Sequence, residues 1–267
     1  MEPRISVLMA IYNCADTLEE ALESLINQTY QGFKVILCDD CSTDNTYEVA
    51  KNYITKYPDK FILLKNEKNM KLPATLNRCL EHTDTEYVAR MDGDDWSKPE
   101  RLKKEIDFLD SHSEYALVSC AMDYFDGKNI FMTSNPVFEP SKNNFIGGTP
   151  HAHAPVLIRT LTLKEVGGYT VKRWTQRGQD THLWAKIYNK GYKGANLSEA
   201  LYIMRDDTNA SKRRKPIDAL YSFKRVYEIY KLMNISLWYM YDPLFSLFKA
   251  LLPTKIYEYF HRKCFKK

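Results

Sequence analysis

Glu86-Tyr-Val-Ala-Arg-Met-Asp-Gly-Asp-Asp95 is the stretch on which the reading of this chain turns: a short apolar run of strand character that ends in three carboxylates within four residues. The spacing predicts a strand over Glu86 to Met91, then a helix from Lys98 to Ser111 with Pro99 in its first turn. The same sentence is written earlier in the chain. The apolar run Phe33 to Cys38 ends in Asp39 and Asp40 and is followed by a helix over Asp44 to Tyr57, opened by an Asp/Asn/Thr cap. Ile5 to Tyr12 reads as a strand, and Ala15 to Asn27 carries Leu18, Leu22, Leu25 and Ile26 at helical spacing. Phe61 to Leu64 is a further strand and Leu72 to His82 a further helix. The order is βαβαβαβα, which predicts an α/β fold: a mostly parallel, Rossmann-like sheet flanked by helices. Ligands of such sheets bind beyond the carboxyl ends of the strands, and Asp39, Asp40 and the Asp92 to Asp95 cluster all stand there.

Downstream, Tyr115 to Phe125 and Ile130 to Thr133 are strand candidates, Gln179 to Asn189 a helix, and Ala200 to Arg205 a strand. After Asp206 the composition turns basic and aromatic, beginning with Lys212, Arg213, Arg214 and Lys215. Residues 1–206 are therefore expected to form the main domain, divided near residue 97, and 207–267 a helical C-terminal appendage. From Lys249 to Lys267 six Lys or Arg face one acid, Glu258, with Tyr257, Tyr259, Phe260 and Phe265 between them. Basic charge with aromatic anchors suits an anionic membrane surface, and packing of Leu237 to Phe260 across the main domain is the alternative.

A chain of 267 residues with 44% apolar and 27% charged residues can bury a full core, which excludes disordered and disulfide-stapled classes. Its net charge of +4, from 38 basic and 34 acidic residues, is too small to imply a nucleic-acid partner. Six cysteines without paired spacing suit a reducing compartment, and the start of the chain lacks the pattern of a secretory signal. Cytoplasmic residence is the expectation. Ile235 to Leu252 is interrupted by Asp242, Pro243 and Lys249, short of the roughly 20 apolar residues that span a bilayer. It can still lie on one.

Grouped carboxylates repel one another unless a cation or several donors compensate, so Asp92, Asp94 and Asp95 read as a hard-metal site for Mg²⁺ or Mn²⁺. Capping of the following helix is the structural alternative. Asp39 and Asp40 could accept hydrogen bonds from a nucleobase imide or a ribose, or serve turn chemistry. Cys38 and Cys41 form a CxxC with no second pair to complete a zinc site, and it reads as incidental. Asp180, after Gly178 at a helix start, is a candidate base or a cap, with His182 two residues beyond. Trp174 could stack on a sugar ring or belong to the core. His151 and His153, spaced to share one face of a strand, are expected to line an acceptor or phosphate region rather than hold zinc.

Taken together, Ser6-Val-Leu-Met-Ala-Ile-Tyr-Asn13, Cys38-Asp-Asp-Cys-Ser-Thr-Asp44, Tyr87-Val-Ala-Arg-Met-Asp-Gly-Asp-Asp95 and Gly178-Gln-Asp-Thr-His-Leu-Trp184 resemble the family 2 glycosyltransferases with a GT-A fold. The four motifs match in order over about three quarters of the chain. The resemblance implies an inverting transferase of bacterial polysaccharide type, moving a sugar from a nucleotide diphosphate donor, commonly a UDP-sugar, to a hydroxyl of a saccharide acceptor. It implies that residues 1–97 bind the nucleotide sugar and 98–206 the acceptor. Asp39 would read the nucleobase, with Asp40 beside it, Ala10 and Tyr12 flanking the nucleotide, and Asn77 and Arg90 also contacting the nucleotide sugar. Asp92 and Asp94 would hold Mn²⁺ or Mg²⁺ and the diphosphate, with Gly93 between them. Asp180 would be the catalytic base, with Gln179, His182, Trp174, His151 and His153 on the acceptor side.

Two departures from the family pattern stand out. Gln179 precedes the base where Glu is frequent, and Leu76 precedes Asn77 where many relatives carry Arg. A donor-phosphate contact is therefore expected from Lys71, Arg78 or Arg90 instead. The acceptor is expected to be lipid-linked, met at the inner face of the membrane through residues 235–267, as in capsule, O-antigen or exopolysaccharide assembly. Two other classes use similar residues. A nucleotidyltransferase usually carries a Gly-rich loop after its first strand, whereas this chain has Tyr12-Asn-Cys-Ala15. A non-catalytic membrane- or nucleic-acid-binding module would leave the acidic convergence without a purpose.

Overall fold

The computed structural model describes residues 2–206 and 216–251. Strand β1 (Ile5–Ile11) lies at the centre of the N-terminal half, hydrogen-bonded in parallel to β2 (Phe33–Asp39) on one side and β4 (Tyr87–Arg90) on the other, while β3 (Phe61–Lys65) extends the sheet beyond β2. Helices α1 (Ala15–Ile26), α2 (Thr46–Lys56) and α3 (Leu72–Glu81) make the crossovers. The chain works outward from β1 to β3 and then returns to the other side of β1, so the topological switch falls between β1 and β4. Both acidic segments open onto that edge.

The second half is mixed rather than mostly parallel. β8 (Leu157–Arg159) runs against both β4 and β6 (Tyr115–Phe125), β7 (Ile130–Thr133) runs against β6, and β5 (Trp96–Ser97) runs against β9 (Lys193–Arg205). Only β6 and β9 pair in parallel there. β9 starts at Lys193, not at Ala200, because its register slips: Cys120 faces Leu197 and Ala121 faces Ala200, leaving the polar Ser198-Glu199 as a bulge that hides the strand's period. Helix α4 (Arg101–Ser111) begins after a turn containing Pro99.

Alternation along β1 explains the two layers. Ile5, Val7, Met9 and Ile11 pack with Leu18, Leu22 and Leu25 of α1, Tyr53 of α2 and Leu102, Ile106 and Leu109 of α4. Leu8 faces the other way, onto Leu76 and Leu80 of α3 and the apolar face of α6 (Gln179–Asn189). Helix α5 (Thr160–Glu165) and helix α7 (Pro216–Leu232) complete that second layer. Ile229 and Tyr230 of α7, with Met233 and Ile235 after it, are buried in one cluster with Leu183 and Trp184 of α6. The segment after residue 206 thus begins as part of the main core. Helix α8 (Tyr241–Leu251) differs: Tyr241, Leu244, Phe245 and Phe248 are exposed, as is Trp238 before it, at 80%. The basic runs 212–215 and 255–267 lie outside the described residues.

Candidate active site

The end of β4 forms the floor of the site. Arg90 is buried, and both of its terminal nitrogens donate to the two Asp92 oxygens, so this guanidinium closes on the acidic loop from beneath. Burial works against the charge on Arg90, but Asp92 more than offsets it and raises its pKa. Gly93 sits where a Cβ would come 2.8 Å from Cys14 Sγ, and its carbonyl accepts from Thr17 Oγ1 at 3.0 Å. The loop is therefore laid directly on the turn between β1 and α1, and a side chain here would press on those of Cys14 and Ile11.

Asp95 is buried and held twice, by the Tyr202 hydroxyl at 3.0 Å and by the Arg205 backbone N–H at 2.8 Å. The Tyr202 oxygen also accepts from the Asp92 backbone N–H at 3.2 Å, so one phenol on β9 braces both ends of the acidic loop. Burial, then Asp92 and Asp94, push the Asp95 carboxyl up to about 7, and the same causes raise Asp94. Oxygens of Asp92, Asp94 and Asp95 lie within 4.8 Å of one another. All three are hard oxygen donors, a set that fits a divalent cation such as Mg²⁺ or Mn²⁺. Asp92 carries Arg90 and Asp95 carries Tyr202, so Asp94, whose carboxylate receives no hydrogen bond among the described residues, is the freest ligand of the three.

Asp39 ends β2 with its carboxylate covered and, among the described residues, accepting from the Ser42 N–H at 3.3 Å alone. It retains acceptor capacity at the switch point, beside the half-buried Ala10 and the exposed Tyr12. Asp40 does not. Its oxygens accept from Asn66 Nδ2 and the Met70 N–H at 2.7 Å and from the Lys71 N–H at 2.9 Å, which makes it the anchor of the loop after β3 rather than a nucleotide ligand. Asn77 is also committed elsewhere, exchanging two 2.8 Å hydrogen bonds with the backbone of Tyr169.

The acceptor side is built around Gly178, which has φ +75° and is followed by α6. Asp180 in the first turn of α6 receives no hydrogen bond among the described residues. Arg225 of α7 lies against this turn: a Cβ on Gly178 would come 2.6 Å from its Cζ, and its guanidinium donates to the Arg177 carbonyl and to Ser222 Oγ. Burial lowers the Arg225 pKa while the Asp180 charge raises it, so the two groups face each other electrostatically. Trp174 packs edge-on against His182, with ring centroids 5.1 Å apart, and Lys224 lies 6.0 Å from the Trp174 ring. His182 is buried with Nδ1 unpartnered, and burial holds its pKa down to about 4, so at neutral pH it is uncharged and a far weaker proton acceptor than expected of a base. Gln179 is buried beside it.

The two other histidines depart from expectation. They lie on an irregular segment before β8, not on a strand. His151 engages both ring nitrogens inside the core, with Asn196 Oδ1 at 2.8 Å and the Tyr188 hydroxyl at 2.9 Å, so it does not line an acceptor cleft. His153 pairs with the Tyr169 hydroxyl at 2.8 Å, also buried. Tyr169 itself is informative: its phenol is raised by burial and feels the charges of Arg90, Asp180 and Asp92 together. Cys38 is buried and Cys41 half-buried, both as free thiols. Tyr202, Arg205, Tyr169 and Arg225 were not evident from the sequence. The first two stand on an expected strand, while nothing local marks a tyrosine after a glycine pair or an arginine in a long helix.

An open, largely apolar pocket of 690 Å³ lies elsewhere, between Trp96, Phe125, Ile130 and Ile203, and includes none of these residues.

The sequence model described as glycosyl transferase family 2 matches residues 6–161. The Bacillus subtilis (strain 168) protein EpsE is 37% identical over 262 residues, covering 98% of this chain and 94% of its own. An Escherichia coli protein named UDP-Glc:alpha-D-GlcNAc-diphosphoundecaprenol beta-1,3-glucosyltransferase WfaP is 28% identical over 196 residues, 73% of this chain and 74% of that one. Among solved structures, the mannosyltransferase PcManGT from Pyrobaculum calidifontis, in complex with GDP-Man and Mn²⁺, superposes with a TM-score of 0.70 at 18% identity, covering 94% of this chain and 73% of that one.

Proposed function

Because this chain belongs to glycosyl transferase family 2 and is a glycosyltransferase with the GT-A fold, we propose that it transfers a sugar, with inversion, from a UDP-sugar to a hydroxyl of a lipid-linked saccharide during cell-surface polysaccharide synthesis. Family membership sets aside both the nucleotidyltransferase and the non-catalytic module. The observation that carries the mechanism is the group formed by Asp92, Asp94 and Asp95 after β4, whose oxygens lie within 4.8 Å of one another at the carboxyl end of the parallel strands.

In this reading Asp39 accepts from the nucleobase, with Ala10 and Tyr12 beside the nucleotide. Asp94 is the principal metal ligand, with Asp92 and Asp95 around it; bound Mn²⁺ or Mg²⁺ would neutralise charge on the departing diphosphate. Asp180 takes the proton of the acceptor hydroxyl as its oxygen attacks the anomeric carbon from the face opposite the leaving group. A single base is sufficient for inversion. Arg225 and Gly178 hold the Asp180 turn in place, and Trp174, Gln179 and His182 form the acceptor wall. Asp40, Asn77, Arg90, His151 and His153 support the site from behind.

Support for a lipid-linked acceptor comes from the name of the Escherichia coli relative, which specifies a diphosphoundecaprenol substrate. The aromatic face of α8 and the basic residues 249–267 fit a peripheral position on the inner membrane surface. No helix among the described residues is long and apolar enough to cross a membrane. Residues 1–206 are read as the catalytic domain, its nucleotide half being 1–97 and its acceptor half 98–206, with α7 joined to it.

Calorimetric titration of UDP, GDP and dTDP, each with Mn²⁺ and with chelator, tests the donor. Mn²⁺-dependent binding of UDP alone is expected; a preference for GDP or dTDP would redirect the donor, and no binding by folded protein would overturn the reading. Asp180→Asn should keep donor binding and lose transfer by at least about a hundredfold, whereas Asp94→Ala should lose the Mn²⁺ dependence of UDP binding. Transfer retained by Asp180→Asn would remove the proposed base.

A further inference from the structure

Helix α4 sends a cation beneath the acidic loop. Arg101, in its first turn, is fully buried on the helix face that also buries Leu102, Ile106 and Leu109. Its ion-pair partner is Glu105, one turn on and equally buried, with Arg101 Nε 3.5 Å from Glu105 Oε2. Two charges in an apolar layer are costly, and replacing such a pair by apolar side chains is often neutral or stabilising. Hydrogen bonding does not make good the cost, because Nε and Nη1 of Arg101 meet no acceptor at hydrogen-bond geometry among the described residues. As core filling alone, the pair is a poor choice.

The other contacts of the guanidinium supply a reason for it. Nη2 donates to the Arg90 carbonyl at 3.3 Å, which fixes the end of β4 at the residue whose side chain grips Asp92. Its central carbon lies 5.4 Å from the centroid of the Tyr202 ring, within cation–π range. The Tyr202 hydroxyl donates to Asp95 and accepts from the Asp92 N–H. One contact thus secures the strand that launches the acidic loop, and the other secures the phenol that spans it. Three carboxylates that must close on a single cation repel one another until it arrives, so a loop without such holds would spread.

We propose that Arg101 is a positioning residue: anchored by Glu105, it steadies the Arg90 carbonyl and the Tyr202 ring so that Asp92, Asp94 and Asp95 stand ready around one divalent cation. It acts through those two groups rather than by contact with the ion. This rests on the reading above that the acidic loop holds such a cation.

The test titrates Mn²⁺ alone into each protein, with bound metal read from the loss of the free-ion electron paramagnetic resonance signal, and follows thermal unfolding in parallel. Arg101→Met combined with Glu105→Leu should melt no lower than the unaltered chain, since the buried charges leave together, yet bind Mn²⁺ about tenfold more weakly or worse. Arg101→Lys keeps a charge beside Glu105 but loses the flat donor face, and should show the same loss. Tyr202→Phe should also weaken Mn²⁺ binding, and should cost less when added to the double variant than when made alone. Unaltered Mn²⁺ affinity in the double variant or in Arg101→Lys would overturn the inference. Losses confined to variants that also melt lower would overturn it too, by assigning them to general loosening, as would losses from Arg101 and Tyr202 that multiply in full. Absence of Mn²⁺ binding by the unaltered chain, with or without UDP, would instead overturn the metal reading on which the inference rests.

Discussion

At Gly178 the backbone leaves room for a hydrogen and nothing larger. Its positive φ disfavours any side chain, and the Arg225 guanidinium fills the space a Cβ would need. Gly178→Ala should therefore lower stability by about 1–3 kcal/mol in chemical denaturation and, by displacing Arg225, reduce transfer while leaving UDP affinity intact. A parallel fall in UDP affinity would mean that the turn serves the donor and not the acceptor side. The residue scale is also where the sequence was most and least legible. Asp39, Asp94 and Asp180 could be picked out because carboxylates at strand ends and after a glycine are locally conspicuous. That Asp40 and Asn77 are spent on backbone groups could not, since their partners at Met70, Lys71 and Tyr169 are chosen by the packed fold.

Helix α4 carries a polar pair into the core. Arg101 and Glu105, one turn apart, are both fully buried, 3.5 Å from each other, and the Arg101 guanidinium lies 5.4 Å from the Tyr202 ring that braces the acidic loop. Burial raises the Glu105 pKa to about 8, with Arg101 opposing the rise. The folded state thus prefers the protonated acid; the stability this contributes is complete below the unfolded value of about 4.3 and is lost as pH rises through about 8. Melting temperatures measured from pH 5 to pH 9 should fall more steeply for the unaltered chain than for Glu105→Gln; equal slopes would show that Glu105 does not titrate in this window. At this scale the four N-terminal strands were readable because each is an unbroken apolar run. β5 and β8, with two and three residues, are too short to show a period, and the bulge at Ser198-Glu199 concealed the first half of β9.

Taken as a whole, the molecule places its two C-terminal helices in different relations to the rest. α7 belongs to the core through Ile229 and Tyr230, and α8 presents aromatic side chains outward. A chain ending at residue 236 should keep the melting temperature and UDP binding yet lose co-sedimentation with anionic vesicles; one ending at 206 should aggregate or melt far lower, because Leu183 and Trp184 lose their cover. Unchanged vesicle binding by the 236-residue chain would remove α8 and the basic tail as the membrane contact. The composition shift after Asp206 falls before α7, and what a composition cannot show is that Ile229 and Tyr230 of that helix are buried with Leu183 and Trp184.

The dependence of the Asp180 turn on Arg225 has a consequence for how the protein comes into being. Chain emerges from a ribosome in order, and strands β1 to β4 are made before β9, whose Tyr202 and Arg205 brace the acidic loop, and before α7. The clasp on Gly178 arrives only with α7. A nascent chain can thus form the first four strands of its sheet before either brace exists, the one on the acidic loop preceding the one on the turn that carries Asp180.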